Sequence, residues 1–187
     1  MSEKPPQRQA HRLPGDPRPT ADVKRMLRVD HAGEFGAARI YDGQLAVLGR
    51  SRAAPVIRRM AEQEERHLVA FERLVAGRRV RPTLLSPLWN VAGFALGAAT
   101  ALMGERAAMA CTVAVEEVID EHYREQAEAL GDSEPALRQT IEEFRADEGE
   151  HRETALAHGA RETLGYDLLS GVVKAGSRLA IWLSTRV

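Results

Sequence analysis

Two carboxylate and imidazole pairs recur at helical spacing in this sequence, Glu64-x-x-His67 and Glu148-x-x-His151. On a helix, residues three apart share a face. In both runs that face is otherwise apolar, with Ile57, Met60, Phe71 and Leu74 around the first pair and Leu137, Ile141, Phe144 and Ala155 around the second. Two single glutamates are in the same situation. Glu34 falls on a stripe with Leu27, His31, Ala38, Tyr41, Leu45 and Leu48, and Glu116 on one with Met109, Val113, Ile119 and Tyr123.

Four glutamates cannot share a dry interior as bare anions, because each like charge drives its neighbour towards protonation. Two divalent cations would balance them. Hard carboxylate oxygens with one imidazole per metal suit iron or manganese better than structural zinc, which favours thiolates. One glutamate from each of two helices and a Glu-x-x-His from each of two others is the arrangement of di-iron carboxylate bundles. The candidate metal ligands are therefore Glu34, Glu64, His67, Glu116, Glu148 and His151. The repeat makes Glu34 and Glu116 terminal ligands, Glu64 and Glu148 bridges, and His67 and His151 one imidazole per ion.

A ligating imidazole usually donates its second N–H to a carboxylate. Asp147, Asp30 and Asp120 are all close enough in sequence to serve, and the spacing does not choose between them. His122 and Tyr123, on or beside the Glu116 face, are candidate catalytic residues lining a substrate pocket. His31 has a weaker claim to the same role, and His158 reads as structural.

The elements that must position these groups are all helices. From Ala21 onward apolar residues recur at helical spacing, strand-like alternation is missing, and aromatic residues make up only 5% of the chain. The first helix is predicted from about Asp22, as N-cap, to Leu48, with Gly49 as its stop. A second is predicted from Arg52 to Ala76, a fourth from Glu105 to Leu130, and a fifth from Pro135 to His158 with Ser133 as a candidate cap. The interval from Glu34 to Glu64 is 30 residues and from Glu116 to Glu148 it is 32, so the chain reads as an imperfect tandem repeat.

The third helix falls in an uncharged run between Arg81 and Glu105, TLLSPLWNVAGFALGAATALMG. Its length raises three readings: a membrane span, a buried core helix, or a helix at a bilayer surface. Pro87, Asn90 and the many small residues argue against a simple span, and the RRVRP entrance would suit anionic headgroups. A last apolar helix, Leu168 to Leu183, carries Lys174 and Arg178 four apart and would lie at a membrane surface or pack on the bundle.

Composition sets the outer bounds. A chain of 187 residues with 44% hydrophobic content fits one domain. Its net charge of −1 offers no basic field, which argues against a nucleic-acid partner. The single cysteine, Cys111, excludes an internal disulfide and reads as a small core residue. Residues 1–20 have no apolar segment of the secretory kind; proline-rich and polar, they are expected to form a flexible tail before a domain spanning 21–187.

Four strings tie these features together: RVDHAGEFGAARIYDGQ at 28–44, EQEERHLVAFERL at 62–74, ACTVAVEEVIDEHY at 110–123 and FRADEGEH at 144–151, with KAGSRLAIWLS at 174–184. They resemble the demethoxyubiquinone hydroxylase family of ferritin-like di-iron proteins. The resemblance implies an all-α, ferritin-like four-helix bundle with two additional apolar helices, and it puts the family's ligands on the six residues already selected. It implies a monooxygenase that uses two iron ions and dioxygen to hydroxylate the ring of a demethoxyubiquinol, the penultimate step of ubiquinone biosynthesis. Reducing equivalents would come from the quinol itself or through NADH, although no strand-turn-helix GxGxxG is visible.

A polyprenyl quinol substrate lives in the bilayer, so the resemblance favours peripheral membrane contact through the two apolar helices. Without a mitochondrial targeting segment, the expected location is the cytoplasmic face of a bacterial inner membrane. A lipid-presenting accessory protein of ubiquinone biosynthesis and a homo-oligomer are further partners left open. The rival function is a ferritin-like ferroxidase or iron-binding protein, which fold alone would accommodate.

Overall fold

The computed structural model describes residues 19–187; most of the expected tail lies outside them. Six helices account for the architecture: α1 (Pro19–Leu48), α2 (Ala54–Gly77), α3 (Ser86–Leu102), α4 (Glu105–Leu130), α5 (Pro135–Ala157) and α6 (Tyr166–Ser184). A short 3-10 turn, Ala160–Glu162, leads into the last, and the described residues contain no strand. The expected helices are all present. The first begins earlier than predicted, since Pro19 is tolerated in a first turn where its missing N–H costs nothing. Asp22 is accordingly not a cap; it lies in that first turn, ion-paired with Arg25. Ser133 is not the cap of α5 either, that position being taken by Glu134.

The tandem repeat in the sequence is a repeat in space. α1 packs with α2 and α4 with α5, and each pair carries an apolar helix, α3 on α1 and α6 on α4. The buried residues form two apolar layers. One gathers Leu27, Phe71, Tyr123, Leu137 and Ile141, and the other Tyr41, Ile57, Met60, Met109, Val113 and Ala155. In every helix of the bundle the candidate ligands fall between these layers in register, which places a charged stratum inside a hydrophobic core.

The contact between α1 and α3 is made by backbone. A Cβ added to Gly97 would lie 1.9 Å from the Ile40 carbonyl oxygen, and one added to Gly43 would lie 2.1 Å from that of Phe94. Only glycine permits so close a crossing. Because α3 presents its small residues inward, burying Gly93, Gly97, Thr100 and Ala101, its large ones are turned out: Leu88, Val91 and Phe94 are exposed. It is therefore not a buried core helix. Among the described residues no helix is long and apolar enough to cross a membrane, and the 17 residues of α3 reach roughly 25 Å against the ~30 Å of a hydrocarbon core.

On α6 the two basic residues face the bundle. Lys174 pairs with Glu117, and Arg178 with Glu121 at 3.1 Å, so two charges four apart on α6 meet two carboxylates four apart on α4. Leu168, Val172, Leu179 and Trp182 are left exposed. In the RRVRP connection, Arg78 is occupied by Glu134 through two hydrogen bonds of 2.9 Å, leaving it engaged rather than free for a headgroup. Cys111 is fully buried in the core and unpaired, and burial pushes its thiol up to about 12.

Candidate metal centre

The six candidate ligands converge. Each is at most 1% exposed, and they fall into two overlapping groups, Glu34, Glu64, His67 and Glu148, and Glu64, Glu116, Glu148 and His151. Within each group one donor atom per residue lies within 4.8 Å of all the others. Glu64 and Glu148 belong to both groups. Each of the other four belongs to one.

Both imidazoles point Nδ1 inward. His67 Nδ1 lies 3.2 Å from Glu148 Oε1 and 3.6 Å from Glu34 Oε2; His151 Nδ1 lies 3.1 Å from both Glu64 Oε1 and Glu148 Oε2. Their Nε2 atoms point outward to residues from the opposite hairpin. His67 Nε2 is 3.0 Å from Asp147 Oδ2, and His151 Nε2 is 3.2 Å from Gln63 Oε1. The two contacts are reciprocal, because Asp147 directly precedes Glu148 and Gln63 directly precedes Glu64. Gln63 was missed from sequence because only carboxylates were considered; the repeat itself was the available signal.

Of the three candidate carboxylates, then, Asp147 meets an imidazole of the cluster. Asp120 instead pairs with Arg145 at 2.7 Å on the outer side of the bundle. Asp30 is buried but faces His122 and Gln126. Each outer glutamate also receives a phenol: Tyr41 donates to Glu116 Oε1 at 2.9 Å, and Tyr123 donates to Glu34 Oε1. Tyr41 is a second residue whose part was not read from sequence, although it was on the Glu34 stripe. His31 is half-buried, with burial lowering its pKa, and joins neither the cluster nor the cavity below. His158 is exposed, its Nδ1 2.8 Å from the Thr154 carbonyl oxygen.

The electrostatics are those of carboxylates short of positive charge. Burial, then the repulsion of Glu148, raises Glu64 and Glu116 well above the usual carboxylate range, and burial raises Glu34. Burial also pushes Glu148 upward, but hydrogen bonds from His151 and His67 outweigh it and hold that carboxyl at about 2. Burial disfavours the imidazolium forms, yet the carboxylate of Glu148, with that of Glu34 beside His67 and of Glu64 beside His151, holds His67 at about 10 and His151 at about 9. Glu34 Oε2, both carboxylate oxygens of Glu64 and Glu116 Oε2 are buried without a hydrogen-bond partner. Such orphans are rare in a folded protein, and their number here, with hard oxygen donors and two inward imidazole nitrogens, fits a pair of divalent cations.

One face of the cluster opens on a cavity of about 340 Å³ between α1, α3, α4 and α6. Glu34 and Tyr123 stand at its inner end, beside Asp30 and His122, while Ile40, Trp89, Leu96, Val115 and Ile181 make the rest of its wall apolar. Trp89 Nε1 donates to Ser184 Oγ at 3.0 Å, tying the start of α3 to the end of α6 over it. Gly33 and Gly36 line the same space, and a Cβ on either would meet nothing within 4 Å.

Comparison with known proteins gives a consistent answer. The family model described as ubiquinone biosynthesis protein COQ7 matches residues 21–184. A 3-demethoxyubiquinol 3-hydroxylase from Rhodospirillum rubrum is 62% identical over 177 residues, covering 94% of this chain and 84% of that one. The human NADPH-dependent 3-demethoxyubiquinone 3-hydroxylase, mitochondrial, is 53% identical over 171 residues, 89% of this chain and 79% of the relative. The 5-demethoxyubiquinone hydroxylase, mitochondrial, of Saccharomyces cerevisiae is 42% identical over 184 residues, with 89% and 79% covered.

Proposed function

The chain belongs to the COQ7 family of ubiquinone biosynthesis proteins, and on that premise we propose that it hydroxylates the ring of demethoxyubiquinol with dioxygen at a pair of iron ions. The observation that carries the reading is the apolar cavity ending on Glu34, one of six clustered donors. At about 340 Å³ it suits a substituted ring. Iron storage, the rival function, has no use for an apolar chamber beside the carboxylates.

In this reading Glu34 and His67 would hold one ion, Glu116 and His151 the other, with Glu64 and Glu148 shared between the two groups. When bound, the ions would supply the activation of dioxygen for ring hydroxylation. The rest is done by the chain. Asp147 and Gln63 keep each imidazole turned with Nδ1 inward, Tyr41 and Tyr123 hold the outer carboxylates, and the apolar wall orients the ring and limits water. His122 and Tyr123 are the residues of α4 that meet the ring at the polar end.

The reductant is carried over only as a nicotinamide dinucleotide or the quinol itself; the human relative's name specifies NADPH rather than NADH. The exposed apolar residues of α3 and α6 flank the cavity, which supports peripheral attachment to a bilayer from which a polyprenyl substrate enters. The corresponding location is the cytoplasmic face of a bacterial inner membrane.

Expression in a strain that accumulates demethoxyubiquinone tests the function, with the lipid extract followed by mass spectrometry. The hydroxylated product is expected in aerobic, iron-replete cells. Its absence with folded protein present would overturn the substrate assignment.

A further inference from the structure

The two imidazoles of the cluster rest on different groups. His67 donates from Nε2 to Asp147 Oδ2 at 3.0 Å, and His151 donates from Nε2 to Gln63 Oε1 at 3.2 Å. The donors themselves match at the two ends: an outer glutamate that receives a tyrosine hydroxyl, an imidazole with Nδ1 inward, and the shared Glu64 and Glu148. Asp147 and Gln63 also occupy the same register, each one residue before a shared glutamate and reaching across to the histidine of the other helix. What differs between them is charge. Asp30, another carboxylate near Glu34 on α1, hydrogen-bonds His122 and Gln126 and none of the six donors.

Resting on the pair of metal ions in the function proposed above, we propose that Asp147 makes the two metal positions unequal, so that the ion at Glu34 and His67 is bound about tenfold more tightly than the ion at Glu116 and His151. A carboxylate that draws on the Nε2–H pushes electron density through the ring onto Nδ1, the nitrogen turned to the cluster, and makes it the stronger donor. An amide oxygen accepts the same hydrogen bond without a charge, and bonds to ionised acceptors are roughly twice as strong. The Asp147 side chain is 39% exposed, so it remains in contact with water and escapes the desolvation cost of a fully buried anion. Both residues hold the ring in the orientation a metal needs; only Asp147 adds charge. Since Glu34 lines the cavity, the ion held more firmly is the one nearest the substrate.

The test is binding of manganese(II), read from the electron paramagnetic resonance signal of the free ion, so that no turnover is needed. The native chain should bind two ions. His151→Ala leaves the position backed by Asp147, His67→Ala leaves the one backed by Gln63, and the first protein should hold its ion about tenfold more tightly than the second. Asp147→Asn, which keeps the shape and an acceptor oxygen for the Nε2–H, should cost that tenfold when added to His151→Ala. Gln63→Glu, added to His67→Ala, should gain about as much. A role confined to turning the rings moves neither affinity, and that result overturns the proposal, as does equal affinity in the two single-site proteins. Should a histidine variant lose its native circular dichroism, Asp147→Asn and Gln63→Glu are compared in the chain with all six donors against a competing chelator. The first should then release manganese more readily than the native chain and the second less readily; no change in either overturns the proposal. Two ions bound with equal affinity removes the role of Asp147 alone, whereas no manganese bound by the native chain removes the metal centre on which it rests.

Discussion

The two ends of the carboxylate cluster are nearly the same in sequence and differ in what surrounds them. At each end a glutamate from a long helix, Glu34 or Glu116, is joined by an imidazole from a Glu-x-x-His and receives a tyrosine hydroxyl. Glu34 and Tyr123 look into the cavity. Glu116 and its donor Tyr41 do not; Tyr41 belongs to the sealed layer with Ile57, Met60, Met109 and Val113. The imidazoles differ too, His67 being backed by a carboxylate and His151 by a neutral amide. A duplicated donor set has been made unequal by its neighbours, so one end faces a cavity and the other is sealed in the core.

The largest effects should appear where the ends are still equivalent. Glu148 is shared by both donor groups, so Glu148→Ala should empty both positions and abolish turnover, whereas Glu116→Ala should abolish turnover while retaining part of the metal at the Glu34 end. Metal analysis by mass spectrometry distinguishes the two patterns. Full activity in Glu116→Ala would remove the di-iron reading.

Next comes the cavity. Gly36→Leu places a side chain in open space beside Glu34, and its expected outcome is a fall of about 100-fold in kcat/KM with iron content unchanged, since steric misplacement of substrate costs about that much. An unaltered rate would show that the substrate approaches elsewhere and that the openness of this end has no bearing on the reaction.

The tyrosines give the smallest and sharpest comparison. Tyr41→Phe should cost about 1 kcal/mol of stability, the usual worth of a buried hydrogen bond, with KM for the quinol unmoved. Tyr123→Phe should lose a similar amount of stability and also raise that KM several-fold. Paired thermal melts and steady-state kinetics test this, and identical kinetic behaviour in the two variants would mean that the ends are functionally alike.

Much of the candidate site was legible because a helix converts spacing into direction. A glutamate three or four residues from apolar neighbours on both sides points where they point, and the core supplies the rest. The same rule failed for Asp30 and Asp120. Each is four residues from an inward glutamate, yet one is buried against His122 and the other meets Arg145 on the outside. At the edge of a stripe, the partner across the gap decides, and that partner is many residues away in sequence. The uncharged third helix was equally ambiguous. Its composition showed that it was apolar, but its fate depended on Gly43 and Gly97 drawing it onto α1 with its small residues inward.

The sequence by itself determined the all-α class, the helices, and the six donors that share their inner faces, because local periodicity and the cost of buried charge are properties of the chain. Tertiary structure alone decided which imidazole meets Asp147 and which Gln63, which end of the cluster is open, and that Asp30 is buried against His122 and Gln126. Those outcomes arise where helices from the two halves of the repeat cross, and the position of a crossing is set by close packing between residues that no local spacing relates.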